Sequence, residues 1–176
     1  MSNRTPVVVV RHLRESFKST GTARIAELGL KHCTMVEFSD DATVADRELQ
    51  AMTEGAWLLF PGEGGSVPPT PPRSLVVLDG TWRQTRKMRK KLPSLQALPL
   101  FSLPEKNDAP LRLREAPAAE SRSTLEAIAD ALELIDGPDV GQPLHALHAM
   151  MVERVLRARG VWDFKLKARA AERTPT

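Results

Sequence analysis

Short β-branched apolar runs alternate along the chain with stretches whose apolar positions recur every three to four residues. Pro6 to Val10, followed by Arg11 and His12, is too brief for a helix and predicts a fully buried strand. Thr22 to Leu28 carries Ile25 and Leu28 three apart and stops at Gly29, which predicts a short helix with a glycine C-cap. Cys33 to Phe38 predicts a second strand, Asp41 to Met52 a helix with an acidic start, and Ala56 to Phe60 a third strand ending at Pro61-Gly62. From Gly62 to Pro72 the chain holds three glycines and four prolines, so a loop delivers it to a fourth apolar run, Leu75 to Leu78. Asp79-Gly80 follows, then a helix predicted from Trp82 to Leu92, with Thr81 and Gln84 spaced as a capping box and Pro93 as its end.

The second half carries two short strand candidates, Leu98 to Leu103 and Leu111 to Leu113, separated by the turn-forming PEKNDAP. Ser123 and Glu126 form a second capping box in front of Leu125, Ile128, Leu132 and Ile135, an apolar stripe that closes at Gly137-Pro138. A last helix, Leu144 to Arg157, is expected to bury Leu144, Leu147, Met151 and Val155, and the tail from Lys165 is basic and expected to fray. Strands alternating with helices predict an α/β domain over residues 1–164, built on one mostly parallel sheet flanked by helices, with a tail over 165–176.

Composition narrows the classes. In 176 residues, 41% hydrophobic and 27% charged content supplies a core and argues against wholesale disorder. No apolar run reaches the ~18 residues of a membrane span, and the N-terminus lacks the apolar stretch of a secretory signal, so a cytoplasmic protein without a membrane partner is expected. The single cysteine, Cys33, forms no internal disulfide and excludes a Cys-rich zinc module. A net charge of +3 says little until its distribution is considered.

Ligands of open parallel sheets gather beyond the carboxyl ends of the strands, and three such points are chemically loaded. Phe60-Pro61-Gly62 continues into a glycine-rich loop that lacks the Gly-Lys-Ser/Thr of a phosphate loop; it allows close backbone approach to a ligand, or is a plain connector. Asp79, at a strand end beside Gly80 and the helix start Thr81-Trp82, is placed to accept a proton or hold an ammonium group, or is a turn residue only. Arg114 leads to Ser123 and Thr124, where free helix N–H groups suit a carboxylate, although the capping box alone explains Ser123. Arg83, Arg86, Lys87, Arg89, Lys90 and Lys91 crowd one helix with no acid among them, as on a surface that meets phosphates or on an ordinary solvated face. Arg11, His12, Arg14 and Lys18 make a second basic group.

The string LDGTWRQTRKM resembles the signature of the DTW-domain family, named for residues that here are Asp79, Thr81 and Trp82. RHLRES with KSTGTARIAELGL, LLFPGE, LREAP and STLEAIADALELID fit the family in the same order, over roughly residues 7 to 136. The resemblance implies a fold related to the SPOUT superfamily with a C-terminal trefoil knot, which ordinary topology rules would not suggest. It implies transfer of the 3-amino-3-carboxypropyl group of S-adenosyl-L-methionine to a uridine in tRNA, with release of methylthioadenosine. On that basis Asp79 is the catalytic base or an anchor for the cofactor's ammonium. Phe60, Pro61, Gly62, Gly80, Thr81 and Trp82 hold adenosine, and Arg114, Ser123 and Thr124 lie near the amino acid end. Arg11, His12, Arg14, Lys18, Arg83, Arg86, Lys87, Arg89 and Lys90 take tRNA phosphates. Many relatives carry an N-terminal cysteine cluster; with Cys33 alone, no metal is expected here, and Leu13 stands where the family often has proline. The competing functions are an S-adenosylmethionine-dependent RNA methyltransferase and a non-catalytic RNA-binding protein.

Overall fold

The computed structural model describes residues 1–17, 21–61, 65–105, 113 and 122–166. Its strands are β1 (Val7–His12), β2 (Cys33–Phe38), β3 (Ala56–Leu59), β4 (Ser74–Asp79) and β5 (Leu100–Phe101). They form one sheet in the order β2-β1-β4-β3-β5, and every pairing is parallel. Parallel neighbours need crossovers: α1 (Thr22–Gly29) lies between β1 and β2, α2 (Ala42–Gln50) between β2 and β3, and α3 (Trp82–Lys91) with α4 (Pro93–Gln96) between β4 and β5, whereas β3 reaches β4 with no helix among the described residues, and α5 (Thr124–Ile135) and α6 (Pro138–Ala158) follow the last strand.

Alternation along the central strands divides the core in two. Val7, Val9, Leu75 and Val77 face α1, α5 and α6, whereas Val8, Val10, Val76 and Leu78 face α2, α3 and α4. Both sides of β1 and β4 are therefore covered, which is why these strands are continuous apolar runs. The α5 stripe of Leu125, Ile128, Leu132 and Ile135 is buried as its spacing predicts. Each such side chain contributes about 1.5–3 kcal/mol through burial. Both capping boxes also form. Thr81 Oγ1 accepts from Gln84 N (3.4 Å) while Gln84 Oε1 accepts from Thr81 N (2.6 Å). Ser123 Oγ accepts from Glu126 N (3.3 Å) and Glu126 Oε2 from Ser123 N (2.8 Å).

Several local expectations are corrected. Gly29 is the last residue of α1 and Leu30 its extended C-cap, so no left-handed residue ends the helix. Gly29 serves close packing instead: a Cβ there would lie 3.3 Å from Leu147 Cδ2. Pro93 ends α3 and also opens α4 at a position where its missing N–H is harmless. The strand expected over Leu98 to Leu103 is only Leu100–Phe101, and of Leu111 to Leu113 all but Leu113 lies outside the described residues. Helix α6 begins at Pro138, six residues before the expected start, and continues through Pro143. Its buried face is Leu144, His148, Val152 and Leu156 in strides of four, while Leu147, Met151 and Val155 are half-buried. Hydropathy could not select His148 for this slot; a polar partner on α5 does, as shown below. Of the basic tail, Lys165 and Leu166 continue a helical turn, and the rest lies outside the described residues. Among the described residues no helix is long and apolar enough to cross a membrane.

α5 and α6 approach closely at Gly141, where a Cβ would meet Glu133 Cβ at 2.3 Å and the Ala129 carbonyl oxygen at 2.9 Å. Backbone cannot yield there as a side-chain tip can. Gly141→Ala should therefore destabilise the fold by about 1–3 kcal/mol, despite alanine's better helix propensity. Urea denaturation measures it, and an equal or raised midpoint would contradict this packing account.

The far end of α5 is tied to the segment before β1. The buried Asp136 carboxylate accepts from Arg4 N (2.7 Å), Thr5 N (2.9 Å) and Thr5 Oγ1 (2.7 Å), and its carbonyl accepts from Arg4 Nη2 (2.6 Å).

Candidate active site

Because all five strands run the same way, their carboxyl ends converge on one rim. The start of α5 returns to this rim and closes a cavity of about 650 Å³. Its walls are largely apolar, from Leu59, Val77, Phe101 and Leu103, with Glu105, Arg122, Ser123 and Thr124 as polar members. An apolar cleft with a few convergent polar groups is the usual form of a small-molecule site.

Of the residues expected at a cofactor, Phe60, Pro61, Gly80, Trp82, Ser123 and Thr124 line this cavity. Thr81 does not, and is committed to capping α3. Gly62 and Arg114 lie outside the described residues. Trp82 is 46% exposed and meets the Phe60 ring edge to face at 6.2 Å, while the Arg89 guanidinium sits 5.1 Å from the centre of that ring.

Asp79 ends β4 and is 8% exposed. It is not itself a lining residue; Leu78 and Gly80 on either side are. Its Oδ1 accepts a 2.5 Å hydrogen bond from Thr124 Oγ1, which does line the cavity. The helix start thus holds the strand-end carboxylate at the edge of the cleft.

The sheet register places Arg11 opposite Asp79 and Glu37 opposite Arg11, in one row across three strand ends. Arg11 Nη2 donates to Glu37 Oε1 at 2.6 Å, and this bond, with one from Ser16, holds the Glu37 carboxyl below the usual carboxylate range. Arg11 Nε is buried with no hydrogen-bond partner among the described residues. His12 is also inward: its Nδ1 accepts from Arg14 N (3.2 Å) and its ring packs on Phe38 at 5.7 Å. Burial, and then the charges of Lys87 and Arg14, lower its pKa below the ordinary imidazole value. His12 thus serves as the cap of the turn after β1. Arg14, Arg83, Arg86 and Lys90 are exposed, whereas Lys87 pairs with Asp40 at 2.6 Å and holds that carboxyl below its usual range. Lys18 lies outside the described residues.

Sequence reasoning missed Arg122, which lines the cavity. Its Nε donates to Asp130 Oδ2 at 2.6 Å and its Nη2 to the Pro104 carbonyl at 2.6 Å. The eight-residue spacing to Asp130 is no motif, and only the fold brings the guanidinium to the Pro104 carbonyl. His148, 6% exposed, places Nε2 3.2 Å from Ser123 Oγ and 3.8 Å from Glu126 Oε2. Ser123 is built here as a cap, its Oγ accepting from Glu126 N. Cys33 is no nucleophile: burial, assisted by Glu27, pushes its thiol up to about 12.

Residues 1–156 match the DTW domain. The chain belongs to the DTW-domain family. A curated relative of this DTW protein, tRNA-uridine aminocarboxypropyltransferase 2 of Drosophila melanogaster, is 29% identical over 157 residues, covering 80% of the chain and 62% of the relative. The chain thus spans about three-fifths of that protein's length. No solved structure matches the DTW chain at a significant level.

Proposed function

We propose that the protein is a tRNA-uridine aminocarboxypropyltransferase, moving the 3-amino-3-carboxypropyl group of S-adenosyl-L-methionine to a uridine ring nitrogen in tRNA and releasing methylthioadenosine. Family membership and the similar Drosophila enzyme support it. The observation that carries it in this chain is the carboxylate of Asp79, fixed by Thr124 at the edge of an apolar cleft. A cavity of about 650 Å³ suits a nucleoside with a short side chain.

When bound, the sulfonium supplies an electrophilic carbon and a neutral thioether leaving group. The chain's part is orientation, since three carbons adjoin the sulfur and their placement selects the product. Backbone groups around Phe60, Pro61 and Gly62, and around Gly80, Thr81 and Trp82, hold adenosine; Arg114, Ser123 and Thr124 serve the amino acid end. Asp79 takes the imino proton of the uridine as the nitrogen attacks. The exposed Arg14, Arg83, Arg86 and Lys90, with Lys18, meet tRNA phosphates. Arg11, His12, Lys87 and Arg89 are engaged within the protein, so for them this reading reduces the phosphate role to support of the surface.

The reading includes a cytoplasmic location and a SPOUT-like chain path with a C-terminal trefoil knot. The test is product analysis. Incubated with S-adenosyl-L-methionine and tRNA, the protein should release methylthioadenosine and leave an aminocarboxypropyl-uridine detectable by nucleoside mass spectrometry. S-adenosylhomocysteine with a methylated nucleoside would assign the methyltransferase reading instead, and binding of tRNA without cofactor binding would assign a non-catalytic one.

A further inference from the structure

Two opposite charges line the cavity without pairing with each other. Arg122 is 15% exposed at its side chain and enters from the residue before the α5 cap. Glu105 is exposed and enters from the segment after β5. They are held as neighbours, because Arg122 Nη2 donates to the carbonyl of Pro104, the residue that precedes Glu105. Among the described residues neither is ion-paired to the other.

Arg122 is oriented as a binding group. Asp130 takes its Nε, and Asp130 is in turn fixed by His145 Nε2 at 3.0 Å. The Pro104 carbonyl takes one Nη2 proton. A guanidinium carries five N–H donors in a rigid fork, so Nη1 and the second Nη2 proton are left for a ligand acceptor. The fork matches a carboxylate. Glu105 offers the complementary acceptor for an ammonium group.

We propose that Arg122 and Glu105 together recognise an α-amino-acid zwitterion, Arg122 the carboxylate and Glu105 the ammonium. The inference rests on the transferase reading and deepens it: the zwitterion is the amino acid end of the sulfonium donor. Asp130 and His145 act through Arg122 as positioning residues. The arrangement makes the amino acid end a separately recognised handle, distinct from the adenosine contacts of Phe60 and Gly80.

Isothermal calorimetry on the full chain tests this with three probes: S-adenosyl-L-methionine, decarboxylated S-adenosylmethionine, which lacks the carboxylate, and methylthioadenosine, which lacks the whole amino acid chain. Charge-assisted bonds of this kind set the expected scale at about 10- to 100-fold in affinity. Arg122→Gln should weaken S-adenosyl-L-methionine by that factor and leave the other two probes within about twofold. Glu105→Gln should weaken both amine-bearing probes about tenfold and spare methylthioadenosine. Glu105 is exposed, so its variant remains informative if Arg122→Gln fails to fold once Asp130 is left alone. Unchanged S-adenosyl-L-methionine affinity in the folded variants, or an equal loss for methylthioadenosine, overturns the assignment while the transferase reading stands. Wild-type protein that binds none of the three overturns both.

Discussion

On the proposed transferase reading, Asp79→Asn should lower aminocarboxypropyl transfer about 10²- to 10⁴-fold, the usual worth of a positioned general base. Asparagine keeps the shape of the side chain, and its carbonyl oxygen still accepts from Thr124 Oγ1, so the strand end and the α5 start remain joined. What disappears is the capacity to take a proton. The measurement is single-turnover rate at saturating S-adenosyl-L-methionine, with calorimetry for its affinity. Unchanged affinity with collapsed turnover identifies the base. A loss of affinity by the same factor as turnover makes Asp79 the ammonium anchor and leaves the proton to another acceptor. Full turnover with wild-type affinity removes Asp79 from the chemistry.

The largest stability effect outside the apolar core is expected at Asp136. Its carboxylate satisfies three donors from Arg4 and Thr5, and Thr5 is only 2% exposed, so solvent does not replace a lost acceptor there. Each buried donor left unpaired costs about 1–3 kcal/mol, and Asp136→Ala should destabilise the protein by about 3 kcal/mol. The urea midpoint falls with the slope unchanged, because the same surface is exposed on unfolding. A loss below about 0.5 kcal/mol, the range of an ordinary surface change, would show that the segment before β1 finds other acceptors.

The sequence made visible what local chemistry encodes. Both capping boxes depend on residues three apart and form as their spacing predicts. The runs around Val8 and Val76 are apolar on both faces because they become central strands, and the alternation of such runs with helical stretches pointed to a parallel sheet. The strand-end position of Asp79 was legible for the same reason. Less visible was everything set by contacts between distant segments. The Pro138–Pro143 stretch resembles a breaker, yet Pro138 falls in the first turn and α6 continues through Pro143. The α6 face turned on His148, whose burial depends on Ser123 and Glu126 of another helix. Arg122 and Glu105 carry no motif; only the return of the chain to the sheet rim brings them to one cleft. The basic residues divide likewise, since charge is written in the sequence but the inward engagement of Arg11 and His12 is not.

One helix connects the two effects argued above. α5 is fastened to Asp79 at its first residue and, through its C-cap Asp136, to Arg4 and Thr5 at its far end. It stands as a strut moored at both ends. Moving this wall for a bulkier ligand would disturb both moorings, so changes in ligand preference are more freely accommodated on the opposite wall, around Phe60 and Trp82.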